Sequence, residues 1–195
     1  MATVVEVERV SKVTPKRFRV EDFRKMTEAG ILPEESGWEI IDGYLIDKMS
    51  IGSKHASIVR RLSKLLEKKF GDIVQVSGQN PVHIDDYNEP EPDIALLKPR
   101  EDFYAEKHPT PTDVLLLIEV SNSTVEYDRE IKKRLYAKAG IVEFWLVNLP
   151  DNTVEFYSQP KKGNYRLARI LESGEILMST SIENLTLAID EILGL

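Results

Sequence analysis

The 195-residue chain contains no cysteine. That absence excludes disulfides, thiol catalysis and cysteine-ligated zinc at once. Histidine is nearly as scarce: His55, His83 and His108 are the only three, and no two stand at a spacing such as HExxH. Any bound metal is therefore expected to have mainly oxygen ligands, which points to magnesium or manganese. None of the ten glycines builds a GxGxxG, a GxxxxGK[ST] or a GxSxG, so dinucleotide, P-loop and nucleophile-elbow chemistries are not expected. Long apolar runs are missing too. The longest aliphatic stretch, Val114 to Ile118, stops at Glu119, far short of the ~20 residues a membrane span needs. The opening segment MATVVEVERVSKV has glutamates where a signal peptide would need its apolar stretch. A cytoplasmic protein with no membrane partner is the expectation.

Apolar residues make up 42% of the chain and charged residues 30%, the balance of a globular domain. The formal net charge is −7, opposite in sign to that of proteins that only coat nucleic acid. The cations are unevenly spread. Lys54 to Lys69 holds six Lys or Arg against one Glu, and Arg129 to Lys138 holds five against one. A local basic face is therefore compatible with the acidic whole.

No linker, repeat or low-complexity segment divides the chain. Residues 1–15 read as a weakly ordered segment and residues 16–195 as one domain. After Pro15 a helix is expected around Phe18, Phe23 and Met26, with Gly30 as its stop. WEIIDGYLIDKM places Asp42-Gly43 between two apolar runs, a strong hairpin signal because both turn positions tolerate positive φ. Residues 54–69 space Ile58, Leu62, Leu65 and Leu66 as one stripe of an amphipathic helix, ended by Gly71. Strands are expected at 72–77, 93–97 and 113–120. A second helix is expected at roughly 126–139, with Ile131, Leu135 and Ala139 on one stripe. Three strands follow (VEFWLVN, TVEFYSQ, YRLARI), then a short helix near Leu187–Ile192. The pattern is that of a mixed α/β domain.

Three carboxylates sit where a charge is costly. Glu119 ends the most apolar strand, sharing a face with Leu115, Leu117 and Ser121 while Leu116, Ile118 and Val120 take the other. A carboxylate there needs a cation, a metal or a hydrogen-bond donor. Asp93 heads DIALL, and Glu39 lies between Trp38 and Ile40 on the first hairpin arm. Singly, Asp93 and Glu119 read as strand-end residues meeting solvent or loop amides. Jointly they form a Pro-Asp opening one strand and an acid closing the next, a layout suited to a divalent metal and a phosphate.

The segments WEIIDGYLIDKMS, PEPDIALL, LLIEVSNSTVEYDREIKKRLYAKAG and IVEFWLVN, in this order, resemble the Uma2 family of the PD-(D/E)XK, or restriction-endonuclease-like, superfamily. The resemblance spans roughly residues 18–190. It implies a mixed central β-sheet flanked by helices, with an N-terminal helix and β-hairpin and additional C-terminal strands. Pro92-Asp93 matches the PD, and Glu119 the acid of the (D/E)XK element. Where the superfamily places its lysine this chain has Ser121. Some superfamily members carry that lysine on the following helix, and Lys132 fits that place. Asp128, Lys132 and Tyr136 fall at i, i+4 and i+8, on one helix face.

What the resemblance implies is a metal-dependent endonuclease acting on DNA. Asp93, Glu119 and the backbone carbonyl of Val120 would hold Mg²⁺ or Mn²⁺, with Glu39 bonding directly or through water. Lys132 would orient the nucleophile and offset charge. Asp128 is expected as a salt-bridge anchor for Lys132 before any metal role, and Tyr136 as packing or a phosphate contact. His55 is an accessory candidate, against a plain structural histidine at a helix start. Arg60, Arg61 and Lys64 are candidate nucleic-acid contacts, against the solvated face that such charge runs usually form. Ser121-Asn122-Ser123-Thr124 reads as the strand-to-helix turn and cap, and Trp145 as core or a dimer contact. A homodimer is also implied. The competing reading is a catalytically silent member of the fold that binds nucleic acid or a protein, favoured by the net charge and by Ser121. A purely structural oligomer subunit is the third.

Overall fold

The structure is a computed structural model that describes residues 15–33, 37–48 and 52–195. The segment expected to be weakly ordered, apart from Pro15, lies outside the described residues. The chain packs as two compact units, the first from residues up to Met49 with Asp85–Glu89, the second from Ser50–Ile84 and Pro90–Leu195.

The first unit holds helix α1 (Val20–Glu28) and the hairpin β1 (Gly37–Ile41) and β2 (Tyr44–Lys48). Asp22 caps α1 by accepting the Arg19 amide at 2.9 Å. Gly30, two residues past the helix end, has φ 66°. Asp42 and Gly43 turn the hairpin with φ 49° and 76°, so both central positions use the left-handed region the Asp-Gly pair favours. Asp85–Glu89 closes the unit: the Glu89 amide donates to the Ile40 carbonyl, Asn88 Oδ1 accepts the Asp42 amide, and the buried Glu89 carboxylate takes both Arg24 guanidinium donors.

The second unit is built on a six-stranded sheet of order β3 (Gln75–Gly78), β4 (Ile94–Leu97), β5 (Val114–Ser121), β6 (Glu143–Asn148), β7 (Thr153–Lys161), β8 (Asn164–Leu171). β5 and β6 are parallel and the other neighbours antiparallel. One face carries the main core. Ile58, Val59, Leu62 and Leu66 of helix α2 (Ser53–Phe70) pack there with Leu116, Ile118 and Val120 of β5 and Trp145 and Val147 of β6. Trp145 is fully buried and donates to Glu143 at 2.8 Å, which makes it core. The pair β9 (Ile176–Met178) and β10 (Thr186–Ala188) and helix α4 (Ile189–Leu193) add Leu177, Leu187, Ile189 and Ile192 to that core.

The other face is covered by α3, the crossover between the parallel strands. It starts with the turn Val125–Tyr127, passes through a π turn at Asp128–Lys132 and ends as the α-helix Lys133–Ala139. The Lys133 amide donates to the Asp128 carbonyl, five residues back.

Three details differ from expectation. Asp72 to Val74 belong to the turn closing α2, where the amides of Ile73 and Val74 both reach the Phe70 carbonyl, so β3 begins only at Gln75. Gly71 ends α2 as expected, in a right-handed conformation, and its use is space: a Cβ would fall 2.6 Å from the Glu67 carbonyl oxygen. Leu187 lies in β10, and the last helix starts at Ile189. On α3 only Leu135 of the expected stripe Ile131/Leu135/Ala139 is buried. Ile131 is 44% exposed, while Asp128, Lys132 and Tyr136 are buried. The wider π turn inserts an extra residue and rotates the helix phase, turning Ile131 outward.

Candidate active site

Strand direction brings the acids together. β4 runs antiparallel to β5 with Ile94 opposite Ile118, so Asp93 at the head of β4 falls beside Glu119 near the tail of β5. The two interlock. The Val120 amide donates to Asp93 Oδ2 at 2.9 Å, and the Asp93 amide to Glu119 Oε2 at 3.3 Å. His55, in the first turn of α2, places Nε2 3.0 Å from the same Asp93 Oδ2. From the opposite face, α3 delivers two donors to Glu119 Oε1: Lys132 Nζ at 3.1 Å and the Tyr136 hydroxyl at 2.6 Å. The Tyr136 ring sits edge-on to Phe144 with centroids 5.3 Å apart, and Phe144 stacks on Tyr157.

These groups are dry: Lys132 and Glu119 are each 3% exposed and Asp93 6%. Burial alone would push the Asp93 carboxyl up. The His55 hydrogen bond and charge, the Val120 amide and the Lys132 ammonium outweigh it and hold Asp93 below the usual carboxylate range. The site therefore keeps an anion, with cations beside it, in a low-dielectric place.

Ser121, in the expected lysine slot, points to the same helix. Its hydroxyl and that of Thr124 both donate to Asp128 Oδ2, the latter at 3.0 Å. Asp128 thus ties the first residue of the π turn back to the end of β5. Burial raises its pKa, against the Lys132 charge and the two hydroxyls. Thr124 precedes α3 as its cap residue, yet its hydroxyl is spent on Asp128 and makes no cap bond to a backbone amide.

Of the other expected site residues, Glu39 lies on β1 in the first unit, paired in register with Ile46 and buried. Arg60, Arg61 and Lys64 are exposed along α2, on the sheet face away from α3. Arg61 is partly engaged, donating to the Ile192 carbonyl at 3.4 Å.

Sequence reasoning missed a second buried carboxylate under α3. Glu155 of β7 accepts two Arg129 guanidinium nitrogens and the Tyr157 hydroxyl. Burial would raise it, but Arg129 and Tyr157 hold it below its ordinary value. The signal was present: Glu155 interrupts an apolar strand just as Glu119 does. Glu143 is a third, satisfied by Trp145, Thr180 and Ser181.

The donor chemistry around Asp93 fits a hard divalent cation. Among the described residues no group of three or more His, Cys, Asp or Glu is arranged to hold a metal. Mg²⁺ commonly uses only one or two protein carboxylates and keeps several waters. Two carboxylates next to a strand-end carbonyl meet that need.

The fold is shared with the crystal structure of a protein described as a putative nuclease belonging to DUF820 from Anabaena variabilis, at TM-score 0.69 and 20% identity over 92% of this chain and 98% of that one. Residues 20–190 match the Uma2 family, described as "Putative restriction endonuclease", and the chain belongs to it. No match was found among curated proteins. Among the described residues, no helix is long and apolar enough to cross a membrane.

Proposed function

We propose that the protein is a divalent-metal-dependent endonuclease that hydrolyses phosphodiester bonds in DNA. One observation carries the reading: the interlocked Asp93 and Glu119 carboxylates with the buried Lys132 ammonium 3.1 Å from Glu119. Asp93, Glu119 and the Val120 carbonyl would hold Mg²⁺ or Mn²⁺. The ion, when bound, supplies Lewis-acid activation of water and charge stabilisation at the phosphate.

The chain's own residues do the rest. Lys132 occupies the functional place that Ser121 leaves empty, and its ammonium offsets charge that grows on the phosphoryl oxygens. His55 fixes the Asp93 carboxylate by its bond to Oδ2, and Tyr136 does the same for Glu119. Asp128, gripped by Ser121 and Thr124, anchors the turn that presents Lys132. Arg60, Arg61 and Lys64 offer one run of cations to phosphates beyond the scissile one. A homodimer belongs to the same reading, and sedimentation showing a monomer at micromolar concentration would remove it.

The test is cleavage of plasmid, linear, single-stranded and branched DNA with Mg²⁺ or Mn²⁺, comparing wild type with Asp93→Ala and Lys132→Ala. Metal-dependent cutting lost in both variants is expected. Equal cutting by Asp93→Ala would sink the proposal. Ser121 at the usual lysine position favours one other reading, a silent scaffold, and calorimetry showing no Mn²⁺ uptake by the wild type would favour it.

A further inference from the structure

We infer that the outer side of α3 and the β7–β8 hairpin form one basic surface that carries the nucleic-acid backbone to the site; this rests on the nuclease reading above. From Lys133 to Val142, and again from Phe156 to Leu171, the sequence holds no Asp or Glu, in a chain with 33 acids. The two stretches contain seven of the 26 cations: Lys133, Arg134 and Lys138 in the first, Lys161, Lys162, Arg166 and Arg169 in the second.

The fold places these stretches side by side. Lys133 Nζ stands 4.9 Å over the Tyr157 ring of β7. The Lys138 stem lies against the hairpin turn, its Cγ 3.0 Å from where a Gly163 Cβ would be. Tyr157 pairs with Ala168, two positions along β8 from Arg166. Arg134, Lys138, Lys162 and Arg166 are exposed. Glu155 beneath them is buried and paired with Arg129, while Glu130, one turn before Arg134 on α3, is exposed.

Continuity with the reactive groups identifies the ligand. One helix turns Lys132 and Tyr136 inward to Glu119 and presents Arg134 and Lys138 outward. Lys132 to Lys138 is about 9 Å of helix, the axial length of two to three nucleotides of one strand at about 3.4 Å each. A phosphodiester chain seated at Asp93 and Glu119 thus meets this surface with its next phosphates. On α2, by contrast, Arg61 and Lys69 are drawn to the Ile192 carbonyl and Glu191 of α4.

The experiment is fluorescence anisotropy of a short labelled DNA duplex across a salt series. It compares wild type with Arg134→Glu/Lys138→Glu/Arg166→Glu, the same triple to Gln, and Arg60→Glu/Lys64→Glu. Each lost phosphate contact lowers the slope of log K against log salt by about 0.9, so both triples should lose about 2 to 3 in slope and the α2 pair clearly less. Unchanged slopes in both triples, or a larger loss in the α2 pair, would overturn the inference. So would wild-type binding to DNA that does not weaken with salt. A parallel Mn²⁺ titration of wild type keeps the two claims apart. Mn²⁺ uptake with salt slopes untouched by the triples removes the surface and leaves the site. Patch-dependent DNA binding without Mn²⁺ uptake keeps the surface and removes the nuclease.

Discussion

Replacing Lys132 by Met tests whether the buried pair is kept for chemistry or for stability. Lys132 and Glu119 have side chains only 4% exposed and lie 3.1 Å apart, so the lost ammonium leaves an anion in a dry site. Breaking a buried pair from one side costs about 3–5 kcal/mol. The Tyr136 hydroxyl and the Asp93 amide still bond Glu119, which places the expectation near about 3 kcal/mol. With a urea slope of about 2 kcal/mol/M, the unfolding midpoint should fall by about 1.5 M. Adding Glu119→Gln removes the stranded charge while its amide oxygen can still accept from Tyr136. The double variant should return to within about 1 kcal/mol of wild type, since neutral replacement of a buried pair is often tolerated. Denaturation followed by tryptophan fluorescence reads both variants, and both should fail to cut DNA. A single variant losing under about 1 kcal/mol, or a double variant no more stable than the single, would refute the argument.

Two further outcomes follow from the same geometry. Tyr136→Phe deletes one hydroxyl from a fully buried ring, and loss of such a partner to a metal-binding carboxylate typically costs about 10–100-fold in metal affinity; calorimetric Mn²⁺ binding as tight as wild type would count against its positioning of Glu119. Asp128 has a raised folded pKa, so its stabilising contribution is complete below the unfolded value of about 3.9 and is lost as pH rises through the folded value. Asp128→Asn, whose amide oxygen can still accept from Ser121 and Thr124, should therefore be more stable than wild type at pH 7, with the advantage vanishing in acid; urea midpoints showing the reverse would contradict this.

Elements whose signals are local were legible from residue order. Asp42-Gly43 announced its hairpin because positive φ is a property of those two residues. The α2 stripe and the alternation of β5 followed from periodicity, and they correctly put Ile118 and Val120 in the core and Glu119 on the other face. Helix α3 was half legible. The spacing of Asp128, Lys132 and Tyr136 predicted their common face, but the 3.6-residue count also offered Ile131, and only the π turn decides between them. Glu155 escaped notice because no motif accompanied it.

By itself, the amino-acid order determined the exclusion of thiol and phosphate-loop mechanisms and supplied the candidate residues Asp93, Glu119 and Lys132. Periodicity states which side of a strand a residue faces, not which strand lies beside it. The meeting of Asp93 with Glu119 across 26 positions was decided by antiparallel register. The reach of Lys132 to Glu119, and the gathering of two acid-free stretches on one surface, were decided by the crossover that lays α3 over β5 and β7. Those are long-range packing outcomes, set by which surfaces bury together, and no local pattern encodes them.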